Sequence, residues 1–290
     1  MLLKGDNDSI NNLINIGMNK LSMSQIVNPR RDARILMSSA LRKDIGYLIS
    51  NPELIVNLNK KKIFLQYIER RANREPVSKI IGFKPFWKEN FLVTQDVLDP
   101  RPDSEIVIES VLKHSKQISK KFDILDIGTG SGALILSLLN EFPLSKGLGT
   151  DKSIKAIEVA KMNSEKLNLQ DRCKFLVMDW CKGLNHKFDI IISNPPYIPS
   201  REIKFLEPEV KFFDPKIALD GGTDGLVKID EILLSMPYLL KKSGLAVLEI
   251  GYNQLNEVKE KILSNGLKII EIFRDLSGID RCIVVSLVGK

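Results

Sequence analysis

The apolar positions of the first 74 residues recur every three or four places. Ala33, Ile35, Leu36, Ala40 and Leu41 form one stripe, and Ile63, Phe64, Tyr67 and Ile68 form another that stops before Glu75-Pro76. That period predicts amphipathic helices between about Ser9 and Arg74. Residues 78–94, SKIIGFKPFWKENFLVT, read as a short β-hairpin. The pattern then changes. Short apolar runs at 122–127 (FDILDI), 146–150 (KGLGT), 173–178 (CKFLVM), 188–193 (FDIIIS) and 245–250 (LAVLEI) predict strands, and 267–275 and 281–287 add two more. Helical segments fill the gaps after Ser131, Ser153, Gly225 and Asn253. Such alternation predicts an α/β fold: a seven-stranded, mostly parallel sheet with helices on both faces. The expected organisation is a helical domain over 1–75, a β-hairpin linker over 76–97 and the sheet domain over 98–290.

Charge sharpens that division. The chain has 290 residues, 43% hydrophobic, and a net charge of +7. Residues 1–88 carry +9 and the remainder −2. A basic N-terminal part suits an acidic protein surface or RNA, although solvated helix faces also carry such charge. No apolar run reaches the roughly 18 residues of a membrane span, and the first residues, MLLKGDNDSI, place charges where a signal peptide has its apolar core. Three cysteines (Cys173, Cys181, Cys282) and two histidines (His114, His186) lack metal-ligand spacing. Together these features predict a cytoplasmic protein without a metal centre.

Two stretches carry the candidate chemistry. The first is DIGTGSGAL, Asp126 to Leu134, where the first sheet strand ends. Gly128, Gly130 and Gly132 permit a tight turn and let a ligand approach bare backbone ahead of a helix. Asp151 ends the next strand, where a carboxylate can accept both ribose hydroxyls of an adenosine. Asp179-Trp180 follows the third strand and would supply an acceptor for an adenine amino group beside an apolar ring. GTGSGA also fits a dinucleotide turn ending in alanine, so these residues alone leave NAD and other adenosine cofactors open.

The second stretch is Asn194-Pro195-Pro196-Tyr197, after the fourth strand and at the carboxyl edge of the sheet, where ligands bind in such folds. Proline biases Asn194 toward an extended conformation and removes an N–H from the loop. The loop therefore offers acceptors, the Asn194 side-chain oxygen and the Pro195 carbonyl, to a planar NH2 group, with Tyr197 to stack behind it. An exocyclic base amine and a carboxamide both satisfy that description.

Asp-x-Gly-x-Gly-x-Gly followed by Asn-Pro-Pro-Tyr resembles the class I S-adenosylmethionine-dependent amino methyltransferases. Further stretches resemble one family within that class, the release factor glutamine N5-methyltransferases (HemK/PrmC family). They are NPRRDARILM (29–38), REPVSKIIGFKPFW (74–87), DPRPDSE (99–105), KIALDGGTDGL (216–226), LEIGYNQ (248–254) and DLSGIDR (275–281). The resemblance implies a Rossmann-like methyltransferase sheet behind a helical substrate-recognition domain, and methyl transfer from S-adenosylmethionine to the Gly-Gly-Gln glutamine of release factors. It implies cofactor binding by Asp126, Gly128, Thr129, Gly130, Gly132, Asp151, Asp179, Trp180 and Asn194. It also implies catalysis by Asn194, Pro195 and Tyr197, with substrate held by these, Pro196 and Arg101. Asp99 stands where the family has an aliphatic residue, and Ser104 where threonine is commoner. An adenine- or guanine-directed nucleic-acid methyltransferase would use the same clamp and is the competing reading.

Overall fold

Each helix of the N-terminal segment starts where a polar or proline residue can end the preceding loop. In the computed structural model, which describes residues 8–115 and 120–288, α1 (Ile10–Met23) begins at Ser9, whose hydroxyl accepts from the Asn12 amide at 3.3 Å. Helix α2 (Pro29–Leu41) opens on proline, whose missing N–H is no loss at a helix start. Asp44 caps α3 (Ile45–Ser50) and Asn57 caps α4 (Leu58–Ala72). Leu13, Leu36, Met37, Phe64 and Ile68 are wholly buried where these helices meet. A shielded ion pair, Arg71 Nε to Asp32 at 2.8 Å, ties α4 to α2.

The segment at 78–94 is not all hairpin. Val77–Ile81 forms α5, because Pro76 starts it and Gly82, at φ 81°, ends it in the left-handed region. The hairpin proper is β1 (Phe83–Phe86) with β2 (Glu89–Leu92), turning through Trp87 and Lys88. The chain divides into compact units Met1–Gly82 and Phe83–Lys290, so the hairpin groups with the sheet. Asn163 holds it there. Its side chain accepts from the Leu92 amide at 2.7 Å and donates to the carbonyls of Leu92 at 3.0 Å and Ser131 at 2.9 Å.

The second unit continues with α6 (Glu105–His114), β3 (Asp123–Ile127), α7 (Ala133–Glu141), β4 (Lys146–Asp151), α8 (Ile154–Lys166), β5 (Cys173–Val177) and β6 (Phe188–Ser193). A small pair, β7 (Ile198–Pro199) and β8 (Asp220–Gly222), flanks the short α9 (Pro208–Lys211). Then come α10 (Val227–Leu239), β9 (Leu240–Glu249), α11 (Leu255–Ser264), β10 (Leu267–Arg274) and β11 (Asp280–Leu287). The seven-stranded sheet has the order β10-β11-β9-β6-β3-β4-β5, with only β11 running against the others. Successive β3 residues serve opposite layers, as the alternation of strand side chains requires. Ile124 packs with α6, α7 and α8 residues such as Ile108, Leu136 and Ile157. Leu125 and Ile127 pack with Ile229, Leu233 and Val258 from α10 and α11.

Candidate functional site

The strand order places the chemistry. The chain leaves β3 for β4 and β5 on one side, then returns to β6 on the other, so the crevice beside β3 lies at a topological switch point. Ile127 of β3 is level with Thr150 of β4 and Ser193 of β6. The next residues of the three strands are therefore Gly128, Asp151 and Asn194, which border one cavity of about 540 Å³. That is the size range of small-molecule sites.

The glycine turn is internally saturated. The amides of Gly128 and Thr129 both donate to the Thr150 carbonyl at 2.9 Å, and the Gly132 amide donates to Thr129 at 2.8 Å. Gly130 donates to Asp151 Oδ2 at 2.9 Å. Gly128 and Gly130 have φ of 77° and 55°, values that side-chain-bearing residues rarely adopt. A turn whose amides are spent in this way has few left for a pyrophosphate, whereas Asp151 keeps capacity to accept. Its second oxygen takes the Ser153 amide at 2.9 Å, yet a carboxylate has about four lone-pair sites. Burial raises the Asp151 pKa, against the backbone donors that stabilise its charge.

Asp126 lies behind the turn. It is buried and accepts the Thr129 hydroxyl at 2.7 Å, and burial pushes its pKa up to about 7. Thr129 borders the cavity; Asp126 and Gly132 do not. Gly132 instead packs beside Leu136 and Ala160. Trp180 and Asp179 border the cavity as well. The Trp180 indole N–H donates to Glu231, which orients the ring. The Asp179 carboxylate pairs with Lys182 at 2.5 Å and Lys152 at 3.6 Å, and the Lys182 hydrogen bond lowers its pKa.

Asn194 and Pro196 border the same cavity, whereas Pro195 and Tyr197 do not. Asn194 Nδ2 donates to Ser104 Oγ at 2.9 Å, which leaves Asn194 Oδ1 as an acceptor. The Tyr197 side chain turns back into the protein. Its hydroxyl donates to Glu249 Oε1 at 3.3 Å, and burial raises its pKa. The Tyr197 carbonyl accepts from Gln254 Nε2 at 2.9 Å. Gly225 presses against the same point: a Cβ there would lie 2.4 Å from the Tyr197 carbonyl oxygen. The stretches KIALDGGTDGL and LEIGYNQ thus close around the exit of the Asn-Pro-Pro-Tyr loop. Arg101 borders the cavity and is anchored by Asp214 at 2.6 Å. Asp214 Oδ1 also accepts from the amide of the buried Asp99 at 3.4 Å.

Residues 12–82 match the PrmC N-terminal domain and residues 94–206 the methyltransferase small domain. The release factor glutamine methyltransferase of Caulobacter vibrioides is 40% identical, over 91% of this chain and 92% of its own. The chain belongs to the release factor glutamine methyltransferase family. The member from Rhodospirillum rubrum is also 40% identical, over 94% of this chain and 83% of that one. Among solved structures, the hMettl16 catalytic domain in complex with an RNA hairpin shares the fold, with a TM-score of 0.59 at 18% identity over 85% of this chain and 94% of that one. Ser104, Glu249 and Gln254, which lie within the family-like stretches, and Asp214, two residues before one of them, emerge as supports of the site. Only their positions beside the quoted motifs hinted at this. Glu231 had no sequence signal.

Proposed function

We propose that this chain transfers the methyl group of S-adenosylmethionine to the side-chain amide nitrogen (N5) of a glutamine in peptide chain release factors, within their Gly-Gly-Gln segment. The observation that carries this reading is Asn194. One N–H of its side-chain amide donates to Ser104 Oγ, an orientation that leaves its oxygen to accept from a substrate N–H. For the cofactor, the saturated glycine turn, the Asp151 carboxylate and the Trp180 ring suit an adenosine with free ribose hydroxyls better than a pyrophosphate. The cofactor supplies an electrophilic methyl on a sulfonium.

The chain's task is to make an amide nitrogen attack. That nitrogen is a poor nucleophile because its lone pair is delocalised into the carbonyl. Asn194 borders the cavity, and its Oδ1 takes a hydrogen bond from the amide NH2 and stabilises the positive charge that develops there. The Pro195 carbonyl, outside the cavity lining, would take the second N–H only if the substrate reaches past Asn194. Alignment of nitrogen and methyl supplies the rest of the barrier reduction. Arg101, fixed by Asp214, stands at the cavity rim where the polypeptide flanking the glutamine would pass. A Gly-Gly-Gln segment suits this approach, since glycines add no bulk beside the target. The Asn-Pro-Pro-Tyr segment holds no strong base, so the proton departs during or after transfer without one. The test is incubation with labelled cofactor and a full-length release factor. Label on the wild-type factor and none on its Gln→Ala variant is expected; equal labelling of both would refute the assignment.

A further inference from the structure

Gln254 stands at the N-cap of α11, a position that favours Ser, Thr, Asp or Asn, and its side chain makes no capping bond to the helix. It reaches instead into a junction of three loops. Its Oε1 accepts the Gly251 amide at 2.9 Å, and its Nε2 donates to the carbonyls of Tyr197 at 2.9 Å and Gly225 at 3.3 Å. These partners fix which way the side-chain amide points, since a backbone N–H can only donate and a carbonyl can only accept. Gln254 is buried, so the helix start does not explain the residue, but the junction does.

Three glycines make room for it. A Cβ on Gly225 would lie 2.4 Å from the Tyr197 carbonyl oxygen and 2.7 Å from Gln254 Nε2. One on Gly251 would lie 2.7 Å from Gln254 Oε1, and one on Gly221 would lie 2.8 Å from Tyr197 Cα. Three chain segments thus close on the last residue of the Asn-Pro-Pro-Tyr stretch. Its first residue is held separately: Ser193, wholly buried at the end of β6, donates its hydroxyl to the Ile127 carbonyl at 2.7 Å. Between the two anchors lie Pro195 and Pro196, whose rings lock φ. A shift of the Tyr197 carbonyl is therefore passed along to Asn194 rather than absorbed in the loop.

We propose that Gln254 is a positioning residue for methyl transfer: by holding the Tyr197 carbonyl it sets where Asn194 Oδ1 meets the substrate amide. The inference rests on the amide-methylation reading above. Gln254 does not border the cavity, so it acts through the loop and not on the substrate. The Tyr197 hydroxyl, bonded to Glu249 at 3.3 Å, holds the side chain of that residue; the position of its carbonyl falls to Gln254. Such placement matters because a misalignment of about 1 Å, even from a change remote from the chemistry, can cost roughly a hundredfold in rate.

The test compares Gln254→Glu and Gln254→Met in the full chain, with kcat and KM for a release factor, calorimetric cofactor binding and urea stability. Gln254→Glu keeps the acceptor for Gly251 but, when ionised, sets a carboxylate against two carbonyls; Gln254→Met keeps the length and removes all three bonds. Each should lower kcat about tenfold or more, with cofactor affinity changed by less than about twofold. In an Asn194→Ala background there is no acceptor left to position, so adding either change should lower kcat by less than about twofold further. Gln254→Glu retains one bond and gives the answer if Gln254→Met folds poorly. A folded variant with wild-type kcat and lowered urea stability would overturn the proposal and leave Gln254 a structural brace. So would a full tenfold loss repeated in the Asn194→Ala background. A wild-type chain that methylates no glutamine would instead overturn the amide reading on which the proposal stands.

Discussion

Replacing Asp151 with asparagine separates its two tasks. The carboxylate accepts the Gly130 amide on one oxygen and the Ser153 amide on the other, both at 2.9 Å. In Asp151→Asn one of these oxygens becomes an NH2 that points at a backbone N–H. One charge-assisted hydrogen bond is lost and a shielded donor is stranded, about 1.5–3 kcal/mol of stability in all. The same substitution removes negative charge from the acceptor proposed for the ribose. Each lost hydrogen bond of that kind weakens binding by a similar amount, so the dissociation constant for S-adenosylmethionine should rise roughly 10- to 150-fold. Calorimetry would give the affinity, and urea unfolding without cofactor would give the stability change. A variant that loses stability but binds within about threefold of wild type would refute the ribose role and leave Asp151 as a brace for the turn.

Other perturbations address the remaining elements. Asn194→Ala should lower kcat about a hundredfold while leaving cofactor affinity near normal, because its oxygen acts on charge that develops during transfer; a normal kcat would contradict that role. Asp126 is buried with its pKa raised to about 7. The folded state therefore holds this proton more tightly than the unfolded chain, so the stabilisation is complete below the unfolded pKa and lost as pH rises through about 7. A shift of that size corresponds to at most about 4 kcal/mol. Asp126→Asn should flatten the decline in urea stability between pH 5 and pH 8, and an unchanged slope would assign the decline to other groups. Reversing Arg30, Arg31 and Arg34 should slow association with a release factor and weaken its salt dependence, with turnover at saturation little altered. Unchanged stopped-flow association would reduce those charges to solvated surface.

The strands were legible where burial on both faces gives apolar runs, as in Ile190 to Ile192 and, with Asp126 as the one polar member, Ile124 to Ile127. The glycine turn, Asp151 and Asn194 were legible because each stands at the end of a strand, and their convergence follows from strand order. Helix α6 was missed although Val107, Ile108 and Val111 are spaced for one buried face. Its start is a turn through Pro102–Ser104, and its N-cap serine is turned away from the helix. Helix α5 was absorbed into the hairpin because VSKII has the composition of a strand; Pro76 and Gly82 were its visible boundaries. The placement of Tyr197 was not legible. The motif suggested a ring in the cavity, whereas the phenol is directed to Glu249, 52 residues along the chain. Ser104 is 90 residues from Asn194 and Asp214 is 113 from Arg101. Such partners become apparent only when the fold juxtaposes them, since no local spacing relates them.

The central claim, that the Asn194 clamp holds a glutamine amide, is tested most directly by competition. A release factor, ribosomal RNA and DNA, offered together with labelled S-adenosylmethionine, can be separated and analysed by mass spectrometry. One added methyl on the side-chain nitrogen of the Gly-Gly-Gln glutamine, with the nucleic acids unlabelled, is the predicted result. Label on an exocyclic base amine, with the glutamine unmodified, would contradict the account.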